Sequence, residues 1–187
     1  MVNLLKRSLL VVLAAAPFCA AVFGVAQEAQ PAPEEFQAIT YFEDRCARCH
    51  GAYGGNYDTA HMAQSSDEKL RQVIRDMAEG PGQAPLDDRQ LDAETAFHRS
   101  LLDGKPFVSF NAMMRSDEKT ILSGEVTPEA TVQIRLDQTT IAATVDEHTW
   151  QATLPANFDV AHAFVVAAKG DAKTELSLMQ PHSHAGK

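Results

Sequence analysis

Three residue types that do chemistry together occur within five positions, Cys46-Ala47-Arg48-Cys49-His50. This is C-x-x-C-H, the spacing used for covalent attachment of a c-type haem. On a helix, positions i and i+3 share a face. Two thiols so placed can each add to a vinyl group on one edge of a porphyrin. The adjacent His50 then swings its imidazole under the ring toward the iron. Three other chemistries use such a pair. A zinc site wants four ligands, and His61 alone would not complete one. A thioredoxin-like redox pair wants a βαβ surround, which the pattern does not suggest. A structural disulfide suits an oxidising compartment. The chain holds three cysteines, and Cys19, the third, lies near the N-terminus. One C-x-x-C-H predicts one covalent haem c, with Cys46 and Cys49 as thioether anchors and His50 as proximal ligand.

The N-terminus reads as an address. Lys6 and Arg7 precede an uncharged, mostly apolar run, Leu9 to Ala26, which ends in Gly24-Val25-Ala26, small at the last and third-last positions as an A-x-A-like cleavage site requires. The expectation is an export signal over residues 1–26, cut after Ala26, with a Pro-rich linker over 27–33. An uncleaved membrane anchor over residues 9–26 is the alternative, because the run is just long enough to span a bilayer. Either way the remainder is expected to work in the periplasm or otherwise outside the cytoplasm, with no integral membrane domain if the signal is removed.

The chain has 187 residues, enough for one medium domain or two small ones, and a formal charge of −9. Loss of residues 1–26, which carry Lys6 and Arg7 and no acid, leaves −11. Such acidity argues against nucleic acid, whose affinity comes largely from cationic contacts to phosphate. It favours partners with a basic patch.

The elements that must position the motif are legible as periodicity. Glu34 to Arg45 reads as a helix, with Phe36, Ile39, Tyr41 and Phe42 near helical spacing. Ser65/Ser66-Asp67-Glu68 reads as a helix start, followed by Leu70, Val73, Ile74 and Met77 and closed by Gly80-Pro81-Gly82. Asp87/Asp88 opens a further helix with Leu91, Phe97, Leu101 and Leu102 inward and Gly104 as its stop. This order resembles a class I cytochrome c domain over residues 34–104. In that family an aromatic four residues before the first haem cysteine packs on an aromatic of the last helix, and Phe42 and Phe97 fit those places.

The resemblance implies an electron carrier rather than an enzyme, and it usually supplies a Met-Pro as distal ligand. Here the loop reads Gly82-Gln83-Ala84-Pro85-Leu86: the Pro is present, the Met is not. Met77 is the first candidate for the distal iron ligand; His61, Met62 and His98 follow, and an open coordination place is the remaining option. A Met ligand raises the iron's potential and a second His lowers it. An open place would make a five-coordinate haem enzyme or a sensor of peroxide or a small gas.

Beyond residue 104 the pattern changes. Residues 105–119 read as a connector, including Met113-Met114. From Thr120 the period becomes two: Thr131 to Leu136, Thr139 to Val145, Thr149 to Leu154, Ala163 to Ala168 and Thr174 to Met179 read as strands. Turn candidates are Asp137-Gln138, Asp146-Glu147-His148 and Lys169-Gly170-Asp171. The run Ser123-Gly124-Glu125-Val126-Thr127-Pro128, with Trp150 ahead of Leu154-Pro155-Ala156, resembles bacterial Ig-like domains. The expected fold is therefore multi-domain, α then β: a small all-α cytochrome c domain over 34–104, then a small antiparallel β-sandwich over 120–180 and a disordered tail over 181–187 holding His182 and His184. The β-domain also admits a third function, docking the cytochrome as a subunit onto a larger oxidoreductase. His148 and His162 suggest no chemistry.

Overall fold

The computed structural model describes residues 36–57 and 62–179. The expected export signal over 1–26, the expected linker over 27–33, His61 and the expected tail with His182 and His184 lie outside the described residues. Among the described residues four α-helices precede eight strands: α1 Ala38–Arg45, α2 Ala47–His50, α3 Asp67–Glu79, α4 Asp88–Asp103, then β1 Ala112–Arg115, β2 Lys119–Glu125, β3 Thr131–Leu136, β4 Thr139–Ala142, β5 Thr144–Asp146, β6 Thr149–Pro155, β7 Ala163–Lys169 and β8 Ala172–Ser177.

The helix limits follow local chemistry. α1 begins at Ala38 rather than near Glu34, with Gln37 extended ahead of it. Ser66 caps α3 by accepting from Lys69 N–H, and Asp67 and Glu68 occupy its first turn, where the helix dipole favours acids. Asp87 and Gln90 form a reciprocal capping box on α4, and Gly104 ends it in the left-handed region at φ 64°. The inner faces make two apolar clusters. One joins Ala38, Ile39 and Phe42 of α1 to Ala93, Ala96 and Phe97 of α4, with Phe107. The other joins Leu70 and Ile74 to Leu91 and Leu102, with Tyr57, Met62 and Leu86 at its edge. Phe42 meets Phe97 edge-on at 5.2 Å.

The strands form two antiparallel sheets ordered β1-β2-β6-β5 and β4-β3-β7-β8. Alternation is clean: in β6, Trp150, Ala152 and Leu154 are buried between exposed neighbours. These three join Leu122, Val132, Ile134, Val165 and Leu176 in one core drawn from both sheets, each large side chain contributing about 1.5–3 kcal/mol. Three hairpins close in two residues, each with a first loop residue at positive φ: Asp137 (47°), Glu147 (51°) and Gly170 (58°).

Two sequence expectations differ from this. Thr139 to Val145, read as one strand, is two: it pairs with β3 up to Ala142, then with β6 from Thr144. The connector is not a free linker, because β1 within it pairs along the whole of Ala112–Arg115 with β2. Phe107 completes the α1–α4 cluster, and Val108, the next residue, lies in the core between the sheets. Helices and sheets thus belong to one compact unit, Pro33–Lys187. No helix among the described residues is long and apolar enough to cross a membrane.

Candidate functional site

The C-x-x-C-H lies where α1 breaks into α2. Cys46 N–H closes α1 onto Phe42 O at 2.7 Å, and Cys46 O accepts from Cys49 and His50 N–H at 3.1 and 3.0 Å. The segment therefore stays wound through the break. The thiols are not joined; Cys46 is half-buried and Cys49 exposed. Burial pushes the Cys46 thiol up to about 12, with the charges of Glu94 and Cys49 adding to it. Redox and nucleophilic cysteines are tuned the other way, toward the thiolate. Their surround is helical on both sides, not βαβ. Among the described residues, no group of three or more His, Cys, Asp or Glu is arranged to hold a metal ion.

After His50 the chain doubles back. Gly51 takes φ 76°, and an added Cβ there would lie 3.0 Å from Asn56 N, so the return is closed to larger residues. Asn56 N–H then donates to His50 O at 2.8 Å and Tyr57 N–H to Gly54 O at 2.8 Å. This brings the Tyr57 ring against the His50 ring at 5.3 Å between centroids, while Phe42 lies 6.4 Å away on another side.

α4 supplies the rest of the wall. His98 is 6% exposed and packs against Phe42 and Tyr57 at 5.4 and 5.3 Å. Its Nδ1 lies 2.7 Å from the Tyr57 hydroxyl. On its far side Nε2 lies 3.4 Å from Glu94 Oε2, one helical turn back. That approach is not a formed hydrogen bond, and neither Glu94 oxygen, both fully buried, has a hydrogen-bond partner. Burial first, and Glu125 second, hold the Glu94 carboxyl well above its ordinary range. Burial, with the charge of His50 second, takes His98 down to about 3. The His98 imidazole is therefore neutral at neutral pH, and burial disfavours charge on the Glu94 carboxyl that faces it. Tyr57 is raised to about 12, again mainly by burial, and stays a phenol. Arg99, beside His98, ties down the chain that follows the C-x-x-C-H, donating to Asp67 Oδ1 at 2.8 Å, Ala63 O at 3.3 Å and Ser65 O at 2.5 Å.

Of the residues singled out by sequence, the structure brings Cys46, Cys49, His50 and His98 to one place. Met62 is half-buried at the edge of the α3–α4 cluster, where its sulfur accepts from Ser65 Oγ at 3.6 Å. Met77 is 44% exposed on α3 and belongs to neither helical cluster. Glu94, Tyr57 and Arg99 do not stand out in the sequence reading. A signal for Glu94 existed: it falls three residues after Leu91 and three before Phe97, on the apolar stripe of α4, where a charge needs a reason. Tyr57 carries no such mark.

The chain matches no protein-family model, no curated protein and no solved structure.

Proposed function

We propose that the chain is an exported monohaem c-type cytochrome that carries single electrons between redox partners, built as a small cytochrome c-like helical part joined to an Ig-like β-sandwich. The observation that carries this reading is the C-x-x-C-H itself, held wound at the α1–α2 break with two unjoined thiols and an imidazole packed against the rings of Phe42 and Tyr57.

The donor set fits a haem. Cys46 and Cys49 would hold the group covalently, each as a thioether. His50 would be the ligand to the iron. The raised, protonated state of Cys46 suits attachment rather than dithiol exchange. Buried Glu94 oxygens without partners mark an interior that the chain alone does not complete. When bound, the haem supplies one-electron iron chemistry. The chain's own work is to fix the sulfurs, orient His50 and keep water out with Phe42, Phe97 and Tyr57. Exposed Cys49 puts the attachment edge at the surface, where brief docking with a small contact area takes place. The acidic composition selects a partner with a basic patch, and association weakens as salt rises.

The test is expression of the full chain in a host that matures c-type cytochromes. The expected product is coloured, keeps its haem through denaturation, and loses it in Cys46→Ala/Cys49→Ala. A colourless product with Cys46 and Cys49 joined to each other overturns the reading.

A further inference from the structure

The site contains an ordered polar chain that the attachment motif does not require. Tyr57 touches His50 ring against ring, its hydroxyl lies 2.7 Å from His98 Nδ1, and Glu94 stands 3.4 Å beyond His98 Nε2. The far end of it is inside: His98 is 6% and Glu94 0% exposed. Buried polar groups persist where their hydrogen bonds are specified, and an unmatched one is costly.

His98 is a neutral ring with one hydrogen for two nitrogens. When that hydrogen is on Nε2, on the Glu94 side, Nδ1 is an acceptor and the Tyr57 O–H donates to it. The phenol proton is then committed to His98, and the phenol oxygen keeps lone pairs free to accept, on a ring whose centroid lies 5.3 Å from that of His50. A histidine bound to a metal through one nitrogen carries a hydrogen on the other and needs an acceptor for it; that acceptor fixes the ring's orientation and raises its basicity.

Resting on the haem reading above, we infer that Tyr57, locked by His98, is the positioning residue for His50: its hydroxyl oxygen accepts the imidazole N–H turned away from the iron. The arrangement makes His50 a stronger donor, which stabilises the oxidised iron and lowers the potential. His98 is thereby assigned to the support of the proximal ligand and not to the opposite face of the iron.

The test uses the full-length, haem-loaded protein and two readouts, the midpoint potential and the solvent-exchange rate of the His50 ring N–H by NMR. Tyr57→Phe keeps the ring and removes only the acceptor. It is expected to retain covalent haem, shift the potential upward and speed exchange of that hydrogen. His98→Leu is expected to move both readouts the same way by less, and His98→Gln, which can still accept from Tyr57, to restore them toward the parent values. If Tyr57→Phe does not accumulate, the His98→Leu and His98→Gln pair decides between the outcomes. Haem-loaded variants with an unchanged potential and unchanged exchange overturn this inference and leave the cytochrome reading standing. A parent protein without covalent haem overturns both.

Discussion

The carboxylate of Glu125, at the end of β2, caps α1 by accepting from Thr40 N–H at 3.1 Å. It also accepts from Ile39 N–H at 3.2 Å and from Thr40 Oγ1 at 3.2 Å, and is itself 1% exposed. α1 has no acid in its first turn and no cap from Gln37, so the anion its N-terminus wants is delivered from a strand 85 residues later in sequence. His148, from the turn before β6, approaches Thr40 Oγ1 at 3.4 Å. The helix that ends at Cys46 is thus held at its other end by the β part.

Glu125→Ala should therefore destabilise the protein by about 2–3 kcal/mol, because buried N–H donors lose a charged acceptor. Chemical denaturation followed by far-ultraviolet helical signal and by Trp150 fluorescence should give one shared midpoint that falls in the variant. Separate midpoints for the two signals in the parent protein would contradict a helix capped by a strand.

Glu94 makes stability depend on pH. Its folded carboxyl titrates well above the ordinary 4.5, so the folded state binds the extra proton. The stabilisation from that proton is full below the unfolded value and is lost as pH rises toward the folded one, at up to about 1.4 kcal/mol per unit. Glu94→Gln keeps the shape without the titration. Its melting temperature should exceed the parent's by a margin that widens from pH 5 toward neutrality. A constant margin would show that the carboxyl is ionised in the folded protein throughout.

Arg99→Met keeps the aliphatic stem and removes the bonds to Asp67, Ala63 and Ser65. Roughly 2 kcal/mol or more of local stability should go with them, since a charged donor is lost from a mostly buried site. Hydrogen exchange should quicken at Ser65 N–H, which donates to Met62 O at 3.0 Å, before it quickens at Leu91 inside α4. Equal acceleration at both would place the loss in global unfolding.

Gly124 has no room for a side chain. A Cβ there would collide with the Ser109 carbonyl and lie 2.8 Å from Trp150 Nε1, the same indole that donates to Ser109 O at 2.9 Å. Gly124→Ala should cost about 3 kcal/mol or more and shift Trp150 emission as the indole loses its acceptor. Parent-like emission and melting would mean that the β1–β2 edge gives way without effort.

What is legible in the sequence is whatever local chemistry writes down. Ser66, Asp87 and Gly104 mark helix ends because orphan backbone groups need caps. Asp137, Glu147 and Gly170 mark turns because two-residue hairpins need positive φ. Trp150 announces a core because nothing else in its strand has its bulk. C-x-x-C-H is legible for the same reason: its spacing is its chemistry. The start of α1 is not, because its cap, Glu125, is far away in sequence. The split at Ala143 is not, because a β-branched run looks the same whether it serves one sheet or two; Ala143 N–H bonding Val132 O is a tertiary fact. The exposure of Met77 is not legible for a related reason. Its i+7 relation to Leu70 puts it near the inner face, but α3 centres that face on Leu70, Ile74 and Ala78, which turns Met77 to the rim.

Phe107 and Val108 are consecutive, yet one plugs the helical cluster and the other the cluster between the sheets. Between the described helices and sheets there is accordingly no seam at which scissors can be placed. Excising residues 120–187 to ask what the β part binds would also strip α1 of its cap and β1 of its neighbour, so a lost partner could not be told from a damaged helical part. Mapping of partners is better done by altering outward-facing side chains of the sheets one at a time, and a graft of the C-x-x-C-H segment onto another scaffold must carry both sheets with it.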